Sequence, residues 1–247
     1  MTVEFFICLS LGAAAGGFMN GLAGFGTALF SLGFFLQVMP PAQAVAIVLF
    51  LSVLSGVQGV WLVRASILSQ PYRLARFLVP GLIGIPFGVA SLSILDPKGL
   101  KLVIAAFLIL YGSFFLARAN LPKFDRRTPV IDSGIGFVGG VLGGAAALSG
   151  ALPTMWCAMR PWAKSETRAV LQPYNVVILG VSAVLFAFKG IYTWETLTYV
   201  ALATPLTMIS AQIGIVTYKQ LTDIGFRRLL IGLMFVSGII LMMREAW

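Results

Sequence analysis

The chain has no histidine, only two cysteines and few charged residues. Lys, Arg, Asp and Glu make up 10% of its 247 residues, whereas soluble domains contain about 25%. Because Cys8 and Cys157 are isolated and no histidine accompanies them, they indicate neither a disulfide framework nor a metal site. The sequence therefore argues against a soluble domain, and we expect no metal and no cofactor.

Carboxylates are also scarce, and none is expected deep within an apolar segment. Proton relays inside membranes usually use Asp, Glu or His, and hydrolytic sites need clustered ligands or an activated nucleophile. We therefore predict that the protein is not an enzyme and has no catalytic residues. The eight acidic residues all lie near segment ends or in loops: Glu4, Asp96, Asp125, Asp132, Glu166, Glu195, Asp223 and Glu245.

Apolar residues dominate the rest of the chain, at 59% of the sequence and a mean hydropathy of +0.98. A transmembrane helix needs about 20 apolar residues, and most of the apolar segments reach that length. They predict a multi-pass protein of the cell membrane (inner or plasma membrane) that is surrounded by lipids. The segments are 42–63, 77–95, 102–117, 169–188, 196–218 and 229–243, together with two longer ones, 5–36 and 133–159.

The two longer segments each contain a cluster of glycines. Gly17, Gly21, Gly24 and Gly26 lie in the first, and the second cluster occupies 139–153. A glycine inside a helix costs about 1 kcal/mol relative to alanine, so the backbone is expected to stop being helical there. Such breaks occur at membrane depth only where they are buried in protein or line a cavity. Two interrupted segments at corresponding places in two halves are a pointer to a transporter's binding site.

The basic residues distinguish two topologies. The net charge is +9, and the Lys and Arg residues lie between apolar segments, where the positive-inside rule explains them without a nucleic-acid partner. If each glycine-rich segment is a hairpin that leaves on the side it entered, thirteen of the 17 Lys and Arg residues are cytoplasmic. If each crosses once, only nine are on one side. The hairpin topology therefore fits better, and it places both termini on the non-cytoplasmic side.

The hairpin topology also determines the organisation of the chain. Three full crossings per half require the second half to be inserted upside down, an arrangement that recurs in transporters. A constant shift pairs Gly88 with Gly214 and Gly112 with Gly238. We predict an all-α integral membrane protein with two inverted repeats, each with a glycine-rich broken or re-entrant helical segment and three transmembrane helices. The boundaries are 1–118 for the first repeat, 119–129 for a basic cytoplasmic linker and 130–247 for the second repeat.

The paired glycine clusters resemble the TauE/SafE family, also called the sulfite exporter family, whose hallmark is a duplicated motif of the type G-x-x-x-G-x-x-G-x-G-G-x-x-x-P. The first half matches it at Gly17, Gly21, Gly24 and Gly26, with Thr27 replacing the last glycine. The second half matches at Gly140, Gly144 and Gly150, with Ala147 and Ser149 replacing glycines and Pro153 near the proline position. The resemblance covers essentially the whole chain and implies transport of sulfite, small organosulfonates and related anions.

An anion site needs hydrogen-bond donors, and interrupted helices supply free backbone N–H groups at positively polarised helix ends. Small residues let an anion approach the backbone, and hydroxyl or amide side chains complete its shell. The alternative reading of each such residue is close helix packing through Gly, Ser and Thr. Our hypothesis is that the two breaks face each other and bind the substrate through Asn20, Gly21, Gly24, Gly26, Thr27, Ser149, Gly150, Pro153 and Thr154.

Amides in the other segments and one arginine are further candidates for substrate binding. Unpaired amides are costly in lipid, so we expect Gln43, Gln172, Asn175 and Gln212 to face the interior, where helix–helix hydrogen bonding is the alternative role. Pro173 can kink its helix. Arg168 precedes segment 169–188, and its guanidinium could bind sulfonate oxygens at the cytoplasmic mouth; the alternative is topology and lipid-headgroup contact. We expect Arg160 and Lys164 on a solvated face.

These features predict a secondary transporter, and by its resemblance an exporter, that moves small sulfur-containing anions such as sulfite or C2 organosulfonates by alternating access. Its partners are then a small anionic substrate and membrane lipids, with no nucleic acid, and a homodimer stays open. The alternatives are a carrier or channel for another small anion, for example a carboxylate, and a non-transporting membrane subunit. The glycine clusters argue against the subunit, because a scaffold needs no polar breaks at membrane depth.

Overall fold

The structure, a computed structural model, describes residues 3–91 and 128–222 together with the single positions 106, 109, 110, 113 and 225. Its secondary structure within these ranges is helical throughout, which confirms the all-α prediction. Most of the predicted crossing 102–117, all of the crossing 229–243 and nearly all of the linker 119–129 fall outside the described residues, so the domain boundaries stay a prediction.

Eight helices lie within the described ranges, four in each half. Six of them are long and apolar enough to cross a membrane, which confirms a multi-pass membrane protein; they are Val3–Ala23, Pro41–Ser69, Pro71–Ser91, Pro129–Ala146, Lys164–Phe188 and Trp194–Gln220. The first half contains α1 (Val3–Ala23), α2 (Thr27–Phe35), α3 (Pro41–Ser69) and α4 (Pro71–Ser91). The second contains α5 (Pro129–Ala146), α6 (Ala151–Ala158), α7 (Lys164–Phe188) and α8 (Trp194–Gln220).

Proline and threonine mark several of the helix starts. Pro41, Pro71 and Pro129 begin α3, α4 and α5, because the first helical position needs no N–H and suits the fixed φ of proline. Thr193 caps α8 by accepting a hydrogen bond from the backbone N–H of Thr196. Pro173 lies inside α7, which is assigned as one uninterrupted helix.

Each glycine-rich segment is a helix, a break and a shorter returning helix. In the first, Ser31 on α2 donates a hydrogen bond to the carbonyl of Gly12 on α1 over 2.8 Å. In the second, the indole N–H of Trp156 on α6 donates to Asp132 at the start of α5 over 2.7 Å. Both arms therefore run antiparallel and return toward the level at which they began, as the hairpin topology predicts.

Left-handed backbone explains where the first arm of each hairpin ends. Gly24 has φ +84° and Gly26 has φ +101° in the first break, and Ala147, which follows α5 directly, has φ 57°. Residues with a Cβ pay about 1–2 kcal/mol for this conformation. Ala147 occupies a position at which the family motif has glycine, so its left-handed conformation shows why glycine suits that place.

The two most extensive helix contacts join one half to the other. Gly17 and Gly21 on α1 lie directly against the backbone of Thr207 and Ala211 on α8. On the other side of the molecule, the glycines of α4 and α5 pack backbone to backbone with the same spacing, as in the pair Gly81 and Gly140. Small residues let helix backbones approach this closely. Each pair runs parallel, and the last described helix of each half packs on the first helix of the other.

Between these pairs, α3 and α7 cross each other antiparallel. Gly59 lies against Gln172 and Gly56 against Val176. Because α3 and α7 hold corresponding places in the two halves, their opposite directions are those that inverted halves would give. Insertion of the halves in opposite senses stays a prediction. The crossing places the first turns of α7, with Arg168 and Gln172, beside the first break.

Candidate functional site

The two helix breaks meet inside the protein. A Cβ atom added to Gly150 would lie 2.6 Å from the Cβ of Phe25, so the tip of one hairpin touches the tip of the other. We call residues 24–27 and 147–151 the junction. All of its residues are buried, and the structure therefore shows the junction closed to solvent on every side.

Two helix N-termini begin at the junction without side-chain caps. Gly26 precedes α2 and Gly150 precedes α6, and neither position provides a side-chain hydrogen bond to the first turn. The first N–H groups of a helix have no partner within the helix, and the helix dipole adds a partial positive charge there. This combination favours an anion, provided that other polar groups at the same place also await a ligand.

Several buried polar atoms near the junction satisfy that condition. The hydroxyls of Thr27 and Thr154, 1% and 6% exposed, have no hydrogen-bond partner among the residues that the structure describes. The same holds for the Asn20 side-chain oxygen and the Ser52 hydroxyl. Buried polar groups without partners are rare and call for an explanation. No cluster of three or more Cys, Asp or Glu side chains that could hold a metal ion occurs in these ranges.

The other predicted residues of the breaks mainly connect the hairpins to α3, α7 and α8. Asn20 donates to the Ser52 carbonyl over 2.9 Å and to the Ser55 hydroxyl over 2.6 Å. Ser149 donates to the side chain of Asn175 over 2.5 Å. Gly21 packs on α8, and Pro153 lies against Gly139 within its own hairpin. Gly21 and Pro153 therefore make close packing contacts, and their role in substrate binding stays a prediction.

Arg168 lies beside the first break, buried to 2% exposure. It donates to the carbonyls of Gly21 and Leu22 at the end of α1, over 2.8 and 3.3 Å. Its guanidinium also donates to the Gln172 side chain over 3.2 Å and lies over the ring of Tyr218 at 4.4 Å. The sequence placed this arginine at the cytoplasmic mouth, whereas the structure shows it inside the protein with neutral partners.

Gln172 links Arg168 to α3 and to the first break. Its side-chain oxygen accepts from Arg168, and its amide nitrogen donates to the carbonyl of Gly56 on α3 over 3.1 Å. The same side chain fills the space above Gly24, where a Cβ atom would lie 2.5 Å from the Gln172 oxygen. Gln172 is therefore interior, as predicted, and it fixes the distance between α7, α3 and the first break.

Two predicted amides have contacts away from the junction. Gln43, partly buried, donates to Thr196 over 3.3 Å. Gln212 donates to Gln58 over 2.5 Å and is exposed, so the expectation that it faces the interior is wrong. Two amides that bond each other reduce the cost of leaving either at the outer surface, and this pairing accounts for the position of Gln212.

Sequence reasoning missed an ion-pair cluster at the base of the second hairpin. Arg160, expected on a solvated face, is 7% exposed and lies 3.1 Å from the carboxylate of Asp132, which is 4% exposed. Arg160 also bonds Thr128, and its guanidinium faces Trp156 at 4.7 Å. The expectation for Arg160 is wrong because the arms of a hairpin meet at its base, and the predicted hairpin already brought Asp132 and Arg160 together. Lys164 is only partly buried and donates to the carbonyl of Leu221 over 3.0 Å.

A family model described as "Sulfite exporter TauE/SafE" matches residues 8–241. The match includes both hairpins, the junction and all the described helices except the first residues of α1. No curated protein and no solved structure matches the chain.

Proposed function

Because the chain belongs to the TauE/SafE sulfite exporter family, we propose that it is a secondary transporter that carries small sulfur-containing anions, such as sulfite or C2 organosulfonates, by alternating access. The family is one of membrane transporters of sulfur anions, and the six apolar helices of the described part agree with that role. Export from the cytoplasm across the cell membrane, with both termini on the outer side, completes the proposal.

The observation that carries the proposal is the junction itself. Two helix N-termini without side-chain caps begin at breaks that touch each other. Each of the two returning helices also has a buried threonine hydroxyl with no hydrogen-bond partner in the described part of the chain. A sulfite or sulfonate group presents three oxygens, which accept hydrogen bonds from N–H and O–H donors. The donors at the junction therefore match the acceptors of the proposed substrate in kind.

Alternating access needs the junction to open to each side in turn. Phe25 fills the contact between the tips and is 1% exposed, as a closed form of such a carrier would require. Opening would separate Phe25 from Gly150 and admit the anion to the first turns of α2 and α6. The helix pairs α1–α8 and α4–α5, each of which joins one half of the chain to the other, divide the described helices into units. These units would rock around the junction, as in other transporters with repeats.

Counterflow in proteoliposomes tests the proposal. Purified protein is reconstituted with an internal load of one anion, and the uptake of the same anion in labelled form is followed against protein-free liposomes. We expect sulfite or a small organosulfonate to accelerate exchange, with a carboxylate such as acetate as the control. A channel would give flux without accelerated exchange, and a non-transporting subunit would give neither. Exchange of acetate alone by folded protein would contradict the proposed substrate class.

A further inference from the structure

Arg168 brings a positive charge to the junction, and the described residues around it provide no opposite charge. Its hydrogen bonds among the described residues go to two backbone carbonyls, the Gln172 amide oxygen and Tyr218, none of which is a carboxylate. Within residues 3–91 and 128–222, no carboxylate lies within ion-pair distance of it. A buried ion without a counter-ion is strongly unfavourable. The arginine is nevertheless held in place by four separate elements, α1, α3 through Gln172, α7 and α8.

The helix ends at the junction do not supply the missing charge. Each end carries about half an elementary charge, positive at the N-terminus and negative at the C-terminus. The junction gathers two of each kind, because α1 and α5 end there and α2 and α6 begin there. These four partial charges cancel in pairs. Although Arg168 caps the carbonyl end of α1, the sum over the junction remains the single positive charge of the guanidinium.

We infer that the junction is built to accept one negative charge, so that the species carried is a monoanion, such as hydrogensulfite or a singly charged sulfonate, with Arg168 as its counter-charge. This inference rests on the proposed function and narrows its substrate class. With a monoanion bound, the junction is neutral and can be enclosed in the protein. A dianion such as sulfite or sulfate would leave a net negative charge there, and an empty junction keeps the positive charge of Arg168.

The same charge balance predicts how the carrier cycles. Changing the side to which the junction opens is easier when the enclosed site is neutral, because the cost of burying a charge rises as water is removed. The loaded form should therefore reorient faster than the empty form. We expect exchange of one monoanion for another to be faster than net transport. Dianions should be exchanged poorly even at concentrations at which a monoanion saturates the carrier.

The first test uses the ionisation of the substrate. Sulfite converts from the monoanion to the dianion near neutral pH, whereas methanesulfonate stays a monoanion. We expect sulfite counterflow to fall as the pH is raised through this ionisation, methanesulfonate counterflow to stay constant and sulfate to be exchanged poorly. Among the described residues, the ionisable groups facing the Arg168 region are Tyr218 and Lys164, whose ammonium lies over the same ring; a change in the charge of either would alter methanesulfonate exchange as well. Sulfite exchange that holds or increases at high pH, or sulfate exchange equal to that of methanesulfonate, would overturn the inference.

The second test removes the charge. We expect Arg168→Gln to reduce methanesulfonate exchange by about tenfold or more, the effect typical of losing a hydrogen bond to a charged group, and Arg168→Lys to keep part of it because the charge remains. Arg64→Gln is the matched control, since it removes one exposed positive charge that lies over Trp61 and should leave exchange unchanged. A monodisperse Arg168→Gln variant that exchanges methanesulfonate like the wild type contradicts the inference.

The two ideas fail in different ways. If the wild type exchanges no sulfur anion but exchanges acetate, the proposed substrate class is wrong. Exchange of acetate and of malonate, each measured in the wild type and in the Arg168 variants, then still decides whether the site prefers one negative charge. If the folded wild type exchanges none of these anions, neither the proposed function nor the one-charge site stands.

Discussion

Two arginines of the second half, Arg160 and Arg168, are both buried, yet their surroundings differ. Arg160 lies at the base of the hairpin with the carboxylate of Asp132 at 3.1 Å, and Arg76 approaches the other oxygen of that carboxylate at 3.9 Å. Arg168 lies at the tip of the other hairpin with carbonyl and amide oxygens around it. The comparison teaches that burial alone does not define a site, because Arg160 has a carboxylate beside it, whereas Arg168 has no carboxylate beside it within the described part of the chain.

The two hairpins also differ in which groups lie at their bases and at their tips. Cys8 and Gln37 hold the corresponding base of the first hairpin, where the thiol lies 3.6 Å from the amide oxygen. One base is therefore closed by a weak neutral contact and the other by an ion pair. At the tips the order is reversed, because the first break has the arginine and the second has a Ser149–Asn175 hydrogen bond. The two halves share a backbone plan but differ in where they place charge.

Removing the carboxylate at the base should give the largest effect. Asp132→Ala leaves Arg160 buried without its carboxylate, and we expect a loss of about 3–5 kcal/mol in the free energy of unfolding, the range for breaking a buried pair. The measurement is the denaturation midpoint in detergent. The double variant Asp132→Leu with Arg160→Met replaces the pair by apolar groups and should recover most of this loss. If the double variant is as unstable as the single one, the ion pair contributes stability that apolar side chains filling the same space do not replace.

Filling the junction should have the next largest effect, and on transport. Gly24→Leu forces a side chain into left-handed backbone and against Gln172, and Gly150→Leu forces one against Phe25. Overpacking costs about 1–3 kcal/mol, so we expect both variants to insert in the membrane but to lose counterflow. Gly33→Ala is the control, because a Cβ at Gly33 meets no atom within 4 Å. Normal exchange by both leucine variants would separate the junction from the transport path.

Removing single hydroxyls at the junction should have the smallest effect. Thr27→Val and Thr154→Val delete hydroxyls that have no partner within residues 3–91 and 128–222, so stability should hold or rise slightly. Substrate affinity should fall by about 1 kcal/mol for each lost hydrogen bond. The half-saturating concentration in exchange and the denaturation midpoint report the two effects separately. Ser31→Ala should lower stability and leave substrate affinity unchanged, because the Ser31 hydroxyl already donates to the Gly12 carbonyl. Threonine variants that lose stability without losing affinity would make these hydroxyls packing groups.

The backbone plan was accessible from the sequence because it depends on patterns along the chain. Apolar length predicts the crossings, and the distribution of Lys and Arg favours the hairpin over a single crossing. The left-handed residues Gly24 and Gly26 lie in the predicted first break. Each of these features depends on residues that are close together in the sequence, or on a count over a whole segment, so it can be predicted without knowing which helices meet.

The surroundings of the charged and amide side chains were less accessible, because they depend on which helices meet. Arg168 lies far along the chain from the carbonyls of α1 that it binds, and Gln212 is exposed because α3 presents Gln58 beside it. Arg160 is the instructive intermediate case. Its burial against Asp132 follows from the hairpin once the residues at the two ends of the arms are set side by side.

The glycine contacts between α1 and α8 bear on how the protein is made. In synthesis α1 leaves the ribosome before the other described helices, yet the helix on which Gly17 and Gly21 pack is translated only after all of them. During that interval the glycine face of α1 has no native partner, whereas α4 and α5 can pair as soon as both have been inserted. A truncation before α8 should therefore leave an assembled centre with a loose first hairpin, a state that quality-control proteases would recognise.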